Sequence, residues 1–589
     1  MCGITGVFSA NSLFHELVIS SVEKIKHRGP DNQTTRRVTT NLSFGHARLS
    51  IVDVNERANQ PLFDENTGNC IIFNGEIYNY KELKKTLPRR QFQTNSDTEV
   101  LLYLLTDLPV EKALSFCNGM FAFAFWNNQT QELILGRDRI GKKPLFIYET
   151  DNSLFFSSEI KAFIPYKFDF KPNHTAVINF LCERTVGSYE STFFEGITQV
   201  KAGTTIKYFF NISSKLVKYQ KDFWQAPVKN ISIEYNDAVE VFKKLFVDSV
   251  MCRLSEEVPF AIMLSGGLDS SSIASVAAKY SNKEITSISA VYPGDLSDER
   301  KFADKVVEKY KNINPIWIEI KDNNFFSQLD KVIYHQETPI ADGSMVAHSI
   351  LMDEIANQGI KVVLSGNGGD EVLAGYPVFD SVFSAQKILE GNLKYLSMDG
   401  IYYALPNQYK NILNRIKAQK LNIFNSNNHL HAIYPRFDID PYRHNDKINE
   451  LLIKSLTHWS LPGFIWYEDR NSMASSIEGR CPFLDFRLVD FLLSISGEYK
   501  IDGEWRKKIL RDSMIDILPN EIRYRKDKQG FHAPIKSWES QYTDFLNDPN
   551  FLNTFDYINF ENFVGKPYWL KWRIFSLYKW YEIFFNKNN

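Results

Sequence analysis

An α/β fold in two parts is predicted: strand-rich layers up to about residue 210, then, from about residue 232, a parallel sheet that gives way to helices after about residue 380. Three observations predict it. The 589 residues exceed what one ordinary core accommodates. The first part carries short β-type runs at 70–73, 119–125 and 133–135, bounded by Asn, Gly and Asp. The second part alternates apolar β-runs with helical periodicity, the pattern of βαβ units.

Taken in order, residues 1–210 form the first domain. Residues 211–231, with Ser, Asn, Lys and isolated aromatics, read as an exposed linker. A second domain, 232–589, opens on a helix whose Ala238, Val241, Phe242, Leu245 and Phe246 recur at the spacing of one helical face. A β-run at 259–264, a helix over 271–280, a β-run at 285–291, a helix through Phe302, Ala303, Val306, Val307 and Tyr310, and a β-run at 316–320 follow. Ligands of such sheets bind beyond the carboxyl ends of the strands. Near the C-terminus the aromatic stretch 568–585 is interrupted by Lys571, Arg573, Lys579 and Glu582, which predicts a packing helix rather than membrane contact.

Charged residues make up 23% of the chain and the formal net charge is -2, so no basic footprint for nucleic acid is present. No stretch approaches the length of a membrane span, and the N-terminus lacks the layout of a secretory signal. Six cysteines without CxxC spacing fit neither a zinc site nor a disulfide framework. A large enzyme of a reducing cytoplasm, with no nucleic-acid or membrane partner, is the expectation.

Cys2 becomes N-terminal if Met1 is removed, so that thiol and free amine share one residue. An α-amino group of pKa about 7.7–8.0 can serve as general base for the adjacent thiol without a histidine. On position alone Cys2 also reads as an early residue of a buried strand. The motifs around it decide. Met1-Cys2-Gly3-Ile4, His27-Arg28-Gly29-Pro30-Asp31, the block 45–53 with His46 and Arg48, Asn74-Gly75-Glu76-Ile77-Tyr78-Asn79 and Ser96-Asp97-Thr98-Glu99 together resemble the class II glutamine amidotransferases, which are N-terminal nucleophile hydrolases. The resemblance covers the first region and implies an αββα sandwich. A glutaminase needs a cation for the substrate α-carboxylate, an anion for its α-amine and donors for the oxyanion. The resemblance assigns Arg48 to the carboxylate, Glu76 and Asp97 to the amine end, and Asn74 with the Gly75 N–H to the oxyanion hole. The segments 137–145 and 157–161 read as scaffold and inter-domain contact.

Leu264-Ser265-Gly266-Gly267-Leu268-Asp269-Ser270-Ser271 lies between a predicted strand and a predicted helix, where backbone N–H groups and the helix start converge as they do in phosphate sites. Gly266 and Gly267 permit close approach, Ser265 and Ser270 donate, and Asp269 can hold Mg2+. The loop resembles that of the ATP pyrophosphatases. A second strand end, 362–371, adds Ser365, Gly366 and the carboxylate Asp370, which with Asp269 could share the metal. Asp469-Arg470-Asn471-Ser472-Met473-Ala474, the run Glu478 to Asp485 and Lys507-Lys508-Ile509-Leu510-Arg511 extend the resemblance to the asparagine synthetases, with Lys507 at the catalytic lysine position. The resemblance implies glutamine hydrolysis at Cys2, an ammonia tunnel, ATP and Mg2+ as cofactors, adenylation of an acceptor carboxylate, in the first instance aspartate, release of AMP and pyrophosphate, and a homodimer. Two positions depart from it. Asn367 stands where that family carries a glutamate implicated in taking a proton from ammonia, and Gly479 where it carries alanine or serine. The same chemistry on another carboxylate, and a glutamine-binding protein with a degenerate ligase half, are the other readings.

Overall fold

The computed structural model describes residues 1–184, 186–187, 190–227, 231–293, 298–320, 325–405, 423–425, 446–527, 542–561 and 563–586. Two antiparallel six-stranded sheets build the first half. One is ordered Ile197–Gln199, Phe146–Thr150, Ser153–Ser157, Gly3–Ser9, Leu42–Arg48 and Asn32–Arg37, and the other Leu216–Asp222, Thr204–Phe210, Glu132–Arg137, Gly119–Asn127, Cys70–Ile77 and Leu62–Phe63. Side-chain alternation along Gly119–Asn127 explains the layering. Ala122 and Ala124 face the other sheet and meet Ile4, Phe8 and Phe44. Phe121, Phe123 and Phe125 point the opposite way, under helices Asp97–Asp107 and Val110–Phe116. Helix Val18–Ile25 covers the outer face of the first sheet through Val22 and Ile25. The αββα sandwich is therefore present.

Part of the expected linker is sheet instead. Leu216–Asp222 pairs along its whole length with Thr204–Phe210. This edge strand is mostly exposed, so it carries no apolar alternation to announce it. Residues 228–230 lie outside the described residues.

The second half holds a five-stranded parallel sheet ordered Ile313–Glu319, Ile285–Val291, Phe260–Met263, Val362–Leu364 and Glu478–Arg480. From the central Phe260–Met263 the chain first builds outward to one edge and then returns to the other side. The strand order thus reverses between Phe260–Met263 and Val362–Leu364, and that crevice is where ligands of open α/β sheets sit. Helix Tyr235–Met251 buries Ala238, Phe242, Phe246 and Val250, while Val241 is 38% exposed, so the apolar stripe is narrower than the sequence pattern. Helix Tyr568–Phe585 packs inward through Trp572, Phe575 and Trp580. No described helix is long and apolar enough to cross a membrane.

Candidate active sites

Cys2 enters the first sheet at its centre, immediately before Gly3–Ser9, and is 8% exposed at the wall of a cavity. Arg48, Gly75, Glu76 and Asp97 line the same cavity, so three distant motifs meet at the thiol. Burial pushes the thiol up, opposed by the N-terminal ammonium and Arg48. Asn74 sits behind Cys2: its Oδ1 accepts from the Cys2 N–H at 3.2 Å and its Nδ2 makes a long 3.4 Å contact with Ser158 Oγ. Gly75 is required by its neighbour, because a Cβ there would lie 2.1 Å from the Met120 carbonyl oxygen. The Arg48 guanidinium is aimed by the carbonyls of Asn55, at 2.8 Å, and Asp53, and by Asn59 Oδ1 at 2.7 Å. Asp97 opens its helix and accepts from the Ile77 N–H at 2.8 Å. Its burial raises the carboxyl to about 6.

Two residues of the second half complete this pocket, and the sequence offered only their motif. Glu478 binds the Met1 ammonium at 3.1 Å, and Arg480 bridges Glu478, at 2.7 Å, and Glu76. Burial, opposed by Arg480, raises the Glu76 carboxyl well above its ordinary range; Glu478 goes the other way, because the ammonium and Arg480 outweigh its burial.

At the crevice of the parallel sheet, both glycine-bearing loops follow the two strands that flank the reversal. Ser265 Oγ and Ser270 Oγ lie 2.9 Å apart, and the Gly267 N–H reaches Ser265 Oγ at 3.3 Å, which folds the loop back on the start of helix Leu268–Tyr280. Gly266 has φ +79°, and a Cβ there would be 2.8 Å from Phe302 Cβ. Gly366 packs on Asp269, with a virtual Cβ 3.0 Å from Asp269 Cβ. Lys507 reaches between the loops, 2.5 Å from Asp269 Oδ2 and 2.6 Å from Asp370 Oδ1. Leu264 keeps its side chain in the core and its backbone bonded to Ile288 and Ser289, so it contributes the strand end rather than a free contact.

Among the described residues no three His, Cys, Asp or Glu side chains gather in the manner of a self-sufficient metal site. Asp269 Oδ1, however, is buried without a hydrogen-bond partner. A pair of carboxylates with a spare oxygen suits Mg2+, which commonly takes one or two carboxylates and completes its shell with phosphate oxygens and water.

Between the two sites the halves are joined by buried charge. Arg28 binds Glu159 at 2.8 Å and Asp469 at 2.8 Å, and it also donates to the Cys2 carbonyl at 3.1 Å. Arg470 binds Glu159 at 3.0 Å and Glu337 at 2.8 Å, and Lys143 reaches Asp469 at 3.6 Å. The segments 137–145 and 157–161 thus supply inter-domain contacts.

A model of the asparagine synthase family matches residues 241–549, and a model of the glutamine amidotransferase domain matches residues 1–224. The chain is 30% identical to asparagine synthetase (glutamine-hydrolyzing) 1 of Bacillus subtilis over 91% of its own length and 88% of the relative's. It is 31% identical to asparagine synthetase (glutamine-hydrolyzing) 3 of the same organism over 89% and 86%. It is also 26% identical to the amidase chyE of Penicillium rubens, over 88% and 84%.

Proposed function

The chain belongs to the asparagine synthase family of ATP-dependent, glutamine-hydrolysing ligases, and on that premise we propose that it makes asparagine from aspartate, with glutamate, AMP and pyrophosphate as co-products. The observation that carries the reading is the pairing of one thiol pocket, built around Cys2, with one Lys507–Asp269–Asp370 cluster at the switch point of a parallel sheet.

In the first site the Cys2 thiol loses its proton to the α-amine of the same residue once Met1 is removed, and Asn74 Oδ1 holds that amine in place. The sulfur attacks the glutamine amide carbon, and the oxyanion is met by the Gly75 N–H and Asn74 Nδ2. Arg48 takes the substrate carboxylate. Asp97 takes the ammonium, and the Glu76 carboxyl, held by Arg480, accepts a hydrogen bond from it.

In the second site Ser265, Gly266, Gly267, Ser270, Ser365 and Gly366 cradle the phosphates of ATP through N–H and hydroxyl donors. Bound Mg2+ would be held by Asp269 and Asp370 and would offset charge on the departing pyrophosphate. Lys507, already between those carboxylates, turns its ammonium to the α-phosphate as the acceptor carboxylate attacks. A carboxylate is a poor electrophile until its oxygen leaves with AMP, and ammonia stays reactive only away from water, so both steps need the buried junction between the halves.

The purified protein is incubated with glutamine, ATP, Mg2+ and aspartate, and asparagine, glutamate, AMP and pyrophosphate are followed together. Matching asparagine, AMP and pyrophosphate, lost in Cys2→Ala with glutamine and regained with ammonium, is expected. Glutamate without asparagine would exclude aspartate as the acceptor. A second reading, the same chemistry on a different carboxylate, is favoured by Asn367 and by the likeness to an amidase.

A further inference from the structure

Resting on the ligase reading above, we propose that Glu468 takes the proton that ammonia loses when it attacks the activated carboxylate. Glu468 stands on helix Leu461–Ala474 and is 5% exposed. Its carboxylate accepts from Ser365 Oγ at 2.7 Å, from Cys481 Sγ at 3.1 Å and from the Asn367 side chain, and Lys142 Nζ lies 4.0 Å away. Ser365 is the first residue beyond strand Val362–Leu364, and the next residue, Gly366, packs on Asp269. The carboxylate therefore abuts the loop proposed to hold the phosphates, although it comes from a helix about 100 residues downstream, as the separation of 103 positions from Ser365 records.

Both departures from the family pattern converge on this one group. Asn367 can donate a hydrogen bond to Glu468 but cannot take a proton itself. Gly479 clears the space: a Cβ there would lie 3.0 Å from Glu468 Oε1 and 3.3 Å from its Cδ. The carboxylates nearer in sequence have other partners. Asp370 is paired with Lys507, and Glu371 accepts from Tyr376 at 2.5 Å and from Ser460 at 2.6 Å. Burial alone would raise the Glu468 carboxyl, but Lys142 and the hydrogen bonds from Ser365, Cys481 and Asn367 hold it below the ordinary range. It is charged at neutral pH and able to accept.

The step balances without any further reactant. The lone pair of ammonia forms the C–N bond and leaves the nitrogen positive. Glu468 removes one proton from that nitrogen, the C–O bond to the adenylate breaks with its electrons going to AMP, and the neutral amide remains. The cationic nitrogen becomes strongly acidic as the C–O bond opens, because the product nitrogen is an amide, so a carboxylate suffices as base.

The test compares half-reactions in the full-length protein bearing Glu468→Gln. ATP–pyrophosphate exchange with the acceptor is expected to stay within about 3-fold, while amide formation from ammonium or glutamine falls by about 100-fold or more. Hydroxylamine, whose nitrogen sheds its proton more readily, is expected to lose about tenfold less than ammonia. Gly479→Ala, which crowds the carboxylate without removing it, should show the same split to a smaller extent. Parallel loss of exchange and amidation in both variants, or undiminished amidation in Glu468→Gln, overturns the proposal. Wild-type amide production measured alongside reports on the ligase reading itself, so the two can fail separately.

Discussion

Burial governs the charge of Asp97, and on the proposed reading it thereby sets the pH range over which the first site holds glutamine. Its carboxyl is raised to about 6 by desolvation and by the nearby Glu478, although the N–H groups of Ile77 and Thr98 pull it down. A raised carboxylate is neutral below its pKa and charged above it, so the counter-charge proposed for the substrate ammonium disappears as pH falls through about 6. The kcat/KM for glutamine hydrolysis should then drop by about tenfold per pH unit below that point, since this ratio reports the free enzyme. Asp97→Asn should give a low value with that limb flattened, while synthesis supported by ammonium keeps its own profile. If the wild-type limb persists in Asp97→Asn, the group that holds the amine is another one.

Elements matter because the loops carry the proposed chemistry while the strands aim them. In the crevice of the parallel sheet the turn after helix Gly369–Val372 comes so close that a Cβ on Gly375 would sit 2.0 Å from Asp370 Oδ1 and 2.3 Å from Lys507 Cε. Gly375→Ala should therefore push Lys507 off its carboxylates and lower ATP–pyrophosphate exchange by about tenfold or more, as misplacement of a reacting group by about 1 Å does. Glutaminase turnover, read by glutamate release, should be unchanged. What could be read beforehand follows the same division. The glycine-bearing loops and Cys2 were legible, because short-range chemistry forces those residue types into one stretch of chain. Glu478 and Arg480 were legible only as a motif: they reach the Cys2 pocket through tertiary packing across more than 400 positions, as the contact of Met1 with Glu478 shows. Strand Leu216–Asp222 was missed because an exposed edge strand needs no apolar face.

At the scale of the molecule, the two halves are held by charges that water does not reach. Arg470 is 1% exposed, donates to the Ser158 carbonyl at 2.9 Å, pairs with Glu159 and Glu337, and lies over the rings of Phe146 and Trp466 at 5.2 and 5.4 Å. Such a cluster adds little net stability when complete, since desolvation offsets most of the attraction, but removing one member leaves buried charge without its counter-ion. Arg470→Met should thus destabilise the chain by about 3–5 kcal/mol, seen as an earlier unfolding midpoint in denaturant. The pair Lys81–Glu256 also joins the halves, at 2.6 Å, but its side chains are 58% and 66% exposed. Lys81→Ala should cost no more than about 1 kcal/mol, because solvent already screens that pair. The contrast bears on function. Glu159 binds Arg470 and also Arg28, whose guanidinium touches the Cys2 carbonyl, so loosening the cluster should be felt at the thiol. Arg470→Met is expected to lower glutamine-dependent synthesis more than ammonium-dependent synthesis, whereas Lys81→Ala changes neither. Equal loss from both nitrogen sources would mean that the cluster holds the halves together without tuning the glutaminase.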